Sequence, residues 1–158
     1  MFRPLARKKQ ELSLDECIEI LTAETRGVLS VIGDEGYPYG MPMNHYYCPE
    51  DGCIYFHSGK KGHRTDALER DSRVSFCVFD KGTQKEGHWS LNVKSVIVFG
   101  KIEITDDAET IAKICAPLSR NFTQDEEYIA WEIAESAKNT LILKLTPEHI
   151  SGKLVNEA

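Results

Sequence analysis

A chain of 158 residues with 19 Lys+Arg against 25 Asp+Glu carries a formal charge of −6, so it lacks the broad positive field that nucleic acid or an anionic membrane surface needs. Its 41% hydrophobic and 28% charged residues are those of an ordinary globular protein, and a chain this long folds as one domain that buries roughly 70% of its unfolded surface. No stretch approaches the ~20 apolar residues of a membrane span, and the basic start "MFRPLARKKQELSLDE" is not followed by a signal-peptide core, so a cytoplasmic single domain over 1–158 is expected.

Ser13 and Glu16 bracket a capping box, in which a hydroxyl and a carboxylate satisfy the first free amides of a helix. Leu14, Cys17, Ile18 and Leu21 follow at helical spacing until Gly27. The period then drops to two. "GVLSVIG", the turn "DEG" and "YPYGMPMNHYY" predict a hairpin, and "CPEDGC" turns the chain into a third strand, "CIYFHS". A short helix at "RTDALERD" precedes strands at "RVSFCVFD" and "VKSVIVFGKIEIT". Two helices, "DDAETIAKICAPLS" and "QDEEYIAWEIAESAK", lead to a last strand and tail in "NTLILKLTPEHISGKL". Antiparallel neighbours early and helices late predict an α+β fold, a small antiparallel barrel of about six strands dressed by helices.

Five cysteines (Cys17, Cys48, Cys53, Cys77, Cys115) are an odd set with no CxxC pair. Cys48 and Cys53 flank a turn and can face each other across it, but zinc needs two further ligands, so reduced and mostly buried thiols are expected. The histidines fall in separate segments without metal-ligand spacing, and no metal site is expected. No G-x-S-x-G elbow is present.

Three stretches carry possible chemistry. In "YFHSGKKGHRTDAL", Ser58, Lys60, Lys61, His63 and Arg64 supply donors while Gly59 and Gly62 permit close backbone approach at a helix start. These are the parts of a phosphate cradle, though the same string also fits a solvated basic turn. In "YPYGMPMNHYY", Pro38 and Pro42 interrupt a strand pattern. Met41, Pro42 and Met43 can then flank a planar ligand, with Asn44 adding an amide and His45 a titratable ring; an irregular edge strand with core methionines reads equally well. In "KSVIVFGK", Ser95 is a lone hydroxyl that is either a pocket residue or a cross-strand filler.

Taken in series, "GYPYGMPMNHYY", "IYFHSGKKGHRTDAL" and "KSVIVFGK" resemble the FMN-binding split barrels related to pyridoxamine-phosphate oxidase. They look most like the branch of nitroimidazole-resistance proteins, and the tail "EHISGKL" extends the resemblance over about residues 3 to 155. It implies a homodimer with FMN at the subunit interface. Met41, Pro42, Met43 and Asn44 would lie along the isoalloxazine. His57, Ser58, Lys61, Gly62, His63 and Arg64 would surround the ribityl chain and phosphate, with Arg64 where the family commonly has lysine. Ser95 and Val96 would complete the pocket, and His45 or His57 would serve as the catalytic proton source. The chain lacks the arginine- and proline-containing C-terminal segment of the true oxidases, so vitamin B6 oxidation is not implied. The activity implied is FMN-dependent reduction of a small aromatic such as a 5-nitroimidazole. A flavin, deazaflavin or haem carrier or sensor without turnover is the alternative.

Overall fold

The computed structural model describes residues 1–157. Helix α1 (Leu14–Ala23) starts at the expected box: the Ser13 amide donates to Glu16 Oε2 at 2.9 Å and the Glu16 amide donates to Ser13 Oγ at 3.3 Å. Cys17, Ile20 and Leu21 are its buried face. Strand β1 (Arg26–Ile32) then buries Gly27, Leu29 and Val31 in alternation. Gly27 is required here, because a Cβ would sit 2.6 Å from the Phe76 ring.

The "DEG" turn forms with Glu35 and Gly36 at φ of 55° and 75°, and returns the chain as β2 (Pro38–Asn44), antiparallel to β1. Strand β2 is a sheet edge, so Pro38 and Pro42 remove no hydrogen bond that a neighbour needs. The sequence predicts one strand through residue 47. Instead the chain breaks at His45, whose amide leaves the ladder to bond the Thr25 carbonyl at 3.2 Å. Beyond it, β3 (Tyr46–Cys48) pairs with β4 (Cys53–Gly59) around the "CPEDGC" turn. Cys48 and Cys53 stand opposite each other there as buried free thiols.

Helix α2 (His63–Arg70) links β4 to β5 (Arg73–Phe79). A two-residue β6 (Thr83–Gln84) precedes β7 (Leu91–Thr105), the last strand is β8 (Thr140–Glu157), and α3 (Ala108–Arg120) and α4 (Glu126–Ser136) lie between the two long strands. The expected tail is therefore strand: β8 pairs with β7 from Ile142 to Glu157, with a bulge at Phe99/Gly100 where a Cβ on Gly100 would strike the Thr146 carbonyl.

One sheet of eight strands results, ordered β2-β1-β5-β7-β8-β4-β3 with β6 on β7. Its inner face buries Leu29, Val31, Phe56, Phe76, Val78, Val98 and Leu143 under α1, with the Phe56 and Phe76 rings edge to face at 4.9 Å. Each such side chain contributes about 1.5–3 kcal/mol on burial. A smaller cluster of Ile111, Ile114 and Leu118 seats α3 on Tyr55 and Ile142. The fold is α+β, a split antiparallel barrel with flanking helices, and the split lies between β2 and β4, which approach without pairing. On the outer face, Val28, Ile32, Phe79 and Phe99 are exposed. Among the described residues, no helix is long and apolar enough to cross a membrane.

Candidate cofactor site

The split in the barrel is where the predicted residues meet. Strand β4 ends in His57, Ser58 and Gly59, and the basic turn carries the chain to α2. Gly62 makes that junction at φ 133° and ψ 171°, a conformation open essentially only to glycine, and no side chain caps the first amides of α2. Thr65 Oγ1 donates to the Gly59 carbonyl at 3.3 Å and fastens the helix back onto β4.

Arg64 spans the split. Its Nη2 donates to Ser58 Oγ on β4 at 2.6 Å, and its Nη1 approaches Met43 Sδ on β2 at 2.8 Å. Nε is buried without a partner. Among the described residues no carboxylate pairs with this guanidinium, and burial lowers its pKa from the ordinary arginine value. It still carries its charge. A half-buried cation whose partners are a hydroxyl and a thioether is an electrostatic deficit that an anion would relieve. Lys61 is exposed on the same turn, while Lys60 is 3.7 Å from Asp106.

His63 belongs to the opposite side of α2. It stacks on Tyr39 at 4.2 Å and accepts from the Asp34 amide at 3.3 Å, while Asp34 also takes Arg70 at 2.7 Å. These contacts tie the β1–β2 turn to the helix.

Along β2 the alternation divides the predicted ring-binding residues. Met41 and Met43 point into the barrel, Pro42 is on the outer face, and half-buried Asn44 accepts from Arg26 Nε at 3.0 Å. Ser95 is on the outer face of β7, with β1 and β5 between it and β2, and Val96 is fully buried in the core. Neither reaches Arg64 within one chain.

The two histidines predicted as proton sources part company. His45 is 1% exposed; its Nε2 donates to the Leu21 carbonyl at 2.8 Å and its ring meets Phe76 edge-on at 4.9 Å. Burial holds its pKa below the ordinary 6.5. That is the setting of a corner residue pinning β2–β3 to α1, with its Nδ1 buried and without a partner. His57 is open to a cleft of about 530 Å³ formed by Asn44, the end of β4, α3 and α4. Partial desolvation and the Arg64 cation push its pKa down, against a smaller opposing influence from Glu132.

The cleft also brings Cys115, Tyr128 and Glu132 to the site. Sequence reasoning missed these. Cys115 reads as a core position of an amphipathic helix, and Glu132 as part of a solvated helix face. Among the described residues, no three His, Cys, Asp or Glu side chains gather as a metal site.

A split barrel with an uncompensated cation in its seam, between an edge strand and a helix N-terminus, is built as a cofactor-binding barrel. The chain belongs to the pyridoxamine 5'-phosphate oxidase family, a flavin-binding family of oxidoreductase type, whose model matches residues 13–154. Among solved structures it is similar to a candidate 5-nitroimidazole antibiotic resistance protein from Bacteroides thetaiotaomicron, with a TM-score of 0.79 at 21% identity over 93% of this chain and 87% of the other. It is also similar to an FAD-binding protein from Mesorhizobium loti (TM-score 0.71, 25% identity, 92% and 97% covered). The flavocytochrome Anf3 of Azotobacter vinelandii matches with TM-score 0.71 at 19% identity, covering 97% of this chain and 72% of that one. No curated protein matches the sequence.

Proposed function

We propose that the protein is a homodimeric FMN-dependent reductase of small aromatic compounds, 5-nitroimidazoles among them. Arg64 carries the reading: a half-buried guanidinium without a carboxylate, beside the Ser58 hydroxyl and the free amides that follow Gly62. This donor set fits the terminal phosphate of FMN. Arg64, Ser58 and Lys61 hold the phosphate, and His63 buttresses the turn that presents them. Pro42 and Asn44, backed by Met41 and Met43, flank the ring along the unpaired edge of β2. Ser95 and the backbone at Val96 lie on the sheet face that a second copy would cover, and they complete the pocket from there.

When bound, FMN supplies two-electron transfer from a reduced donor to a flat acceptor. The protein's part is positional. The exposed edge of β2 offers backbone groups to the ring, and the α3–α4 cleft restricts water beside it. His57, neutral at pH 7, orients a ligand as donor at one ring nitrogen and acceptor at the other, and is the histidine placed to pass a proton in the cleft. The relatives named as flavin-binding proteins, and the one named for nitroimidazole resistance, support this direction.

The test is the absorbance spectrum of the purified protein, with the released chromophore identified by mass. FMN bands that bleach with a nicotinamide donor and return on adding a nitroimidazole support the proposal. A Soret band or a deazaflavin mass overturns the cofactor, and colour without turnover overturns the activity in favour of a carrier or sensor.

A further inference from the structure

The cleft beside His57 has a charge pattern of its own. Its walls are apolar where α3 contributes Ile111 and Leu118 and where Phe122 follows it. Across from β4, among the described residues, Glu132 is the only side chain with a fixed charge that lines it, and no lysine or arginine does so. Arg64 is not part of the lining, since its guanidinium is turned into the seam behind Ser58. The site is therefore polarised, with an unneutralised cation in the seam and an unneutralised carboxylate on the helical wall. Glu132 forms no ion pair among the described residues. It follows Tyr128 by one helical turn, near enough that hydrogen bonding to its carboxylate, and then its charge, raise the Tyr128 phenol pKa. Both groups offer acceptor oxygens to whatever occupies the cleft. His57, held neutral, adds no positive charge on the facing wall.

We propose that this cleft is a substrate pocket for a small flat aromatic bearing a cationic or strongly hydrogen-bond-donating substituent, and that Glu132 is the residue that selects for it. An aromatic whose substituent is an anion, a phosphate ester included, is disfavoured on the helical wall, because it would meet the Glu132 carboxylate there, while the Arg64 cation lies across the cleft behind Ser58. That the occupant is a substrate rests on the flavin reading; its charge preference rests on the cleft alone.

Three nitroaromatic probes of one ring and nearly one size separate the charges: 4-nitrobenzylamine, 4-nitrobenzyl alcohol and 4-nitrobenzoate. Calorimetric titration of the flavin-loaded protein should rank them amine tightest, alcohol next and benzoate weakest. Because Glu132 is exposed, Glu132→Gln should weaken the amine by about three- to fivefold while leaving the alcohol within about twofold, and 0.5 M salt should reduce the amine's advantage in the parent protein only. Equal binding of amine and benzoate, or an unchanged ranking in Glu132→Gln, overturns the assignment. FMN affinity of the same variant, followed by flavin fluorescence, should match the parent. If Glu132→Gln tightens FMN instead, the anionic cofactor itself fills the cleft and the substrate assignment fails. Should no flavin bind to either protein, the flavin reading fails, and the probe ranking on the unloaded protein still decides the charge preference.

Discussion

At the scale of single residues, the proposed phosphate site rests on Arg64. A hydrogen bond to a charged group contributes about 1.5–3 kcal/mol, so Arg64→Ala should weaken FMN about 10- to 150-fold in a fluorescence titration. Arg64→Lys should recover only part, because a point charge cannot reach Ser58 and a phosphate with separate donors of one fork. His45 makes a different prediction, one of pH. Its folded pKa lies below the ordinary 6.5, so the unfolded chain takes up a proton that the folded chain resists. Stability is therefore lost as the pH falls through and below 6.5, and the loss levels off once the pH is beneath the lowered folded value. Urea unfolding at pH 7.5 and 5.5 should show a steeper fall for the parent than for His45→Gln, which keeps a donor for the Leu21 carbonyl but does not titrate. The sequence displayed both residues, yet it could not distinguish them from their neighbours. His45 and His57 are equally polar letters, and only the corner between β2 and β3 sends one into the core and leaves the other in the cleft.

At the scale of elements, local chemistry announced itself wherever it was local. The capping box, the two φ-positive turns and the alternation of β1 are each written within a few residues, and each formed as the pattern predicts. Strand β2 was only half legible, because its prolines fit any unpaired edge and nothing within it says which strand lies across the seam. The tail beyond Pro147 was illegible for a related reason. Its residues alternate too weakly to declare a strand, and β8 persists there because β7 offers an equally long partner. Helix α2 tests how far local geometry governs the site. Gly62→Ala meets no steric obstacle, as nothing lies within 4 Å of the added Cβ, so its whole cost of about 1–3 kcal/mol is backbone strain. The variant should lower both the thermal midpoint and FMN affinity. Ser13→Ala removes about 1 kcal/mol of capping at the far end of the molecule, shifting the midpoint by about 2–4 °C with no change in FMN affinity.

At the scale of the whole molecule, the exposed face of the sheet is the unresolved cost of the isolated chain. Val28, Ile32, Phe79 and Phe99 form an apolar surface on adjacent strands, of the kind that marks an interface. If the chain is the homodimer proposed above, Phe79→Glu should yield a monomer by light scattering with the far-ultraviolet spectrum intact, and FMN binding should fall with it if Ser95 acts across the subunits. The sequence only hints at such a face, because the outward positions of β1 and β5 mix Val28, Ile32 and Phe79 with Arg26, Ser30, Arg73 and Ser75. The excursion between β7 and β8 has a further consequence. Thr105 and Ile142 are register partners, so the stretch holding α3 and α4 leaves and re-enters the sheet at neighbouring points. The helical wall is thus one insertion between neighbouring points of the sheet, seated on the barrel through Ile111, Ile114 and Leu118. Changes within that single insertion would alter the wall of the cleft while leaving the register of β7 and β8 as it is.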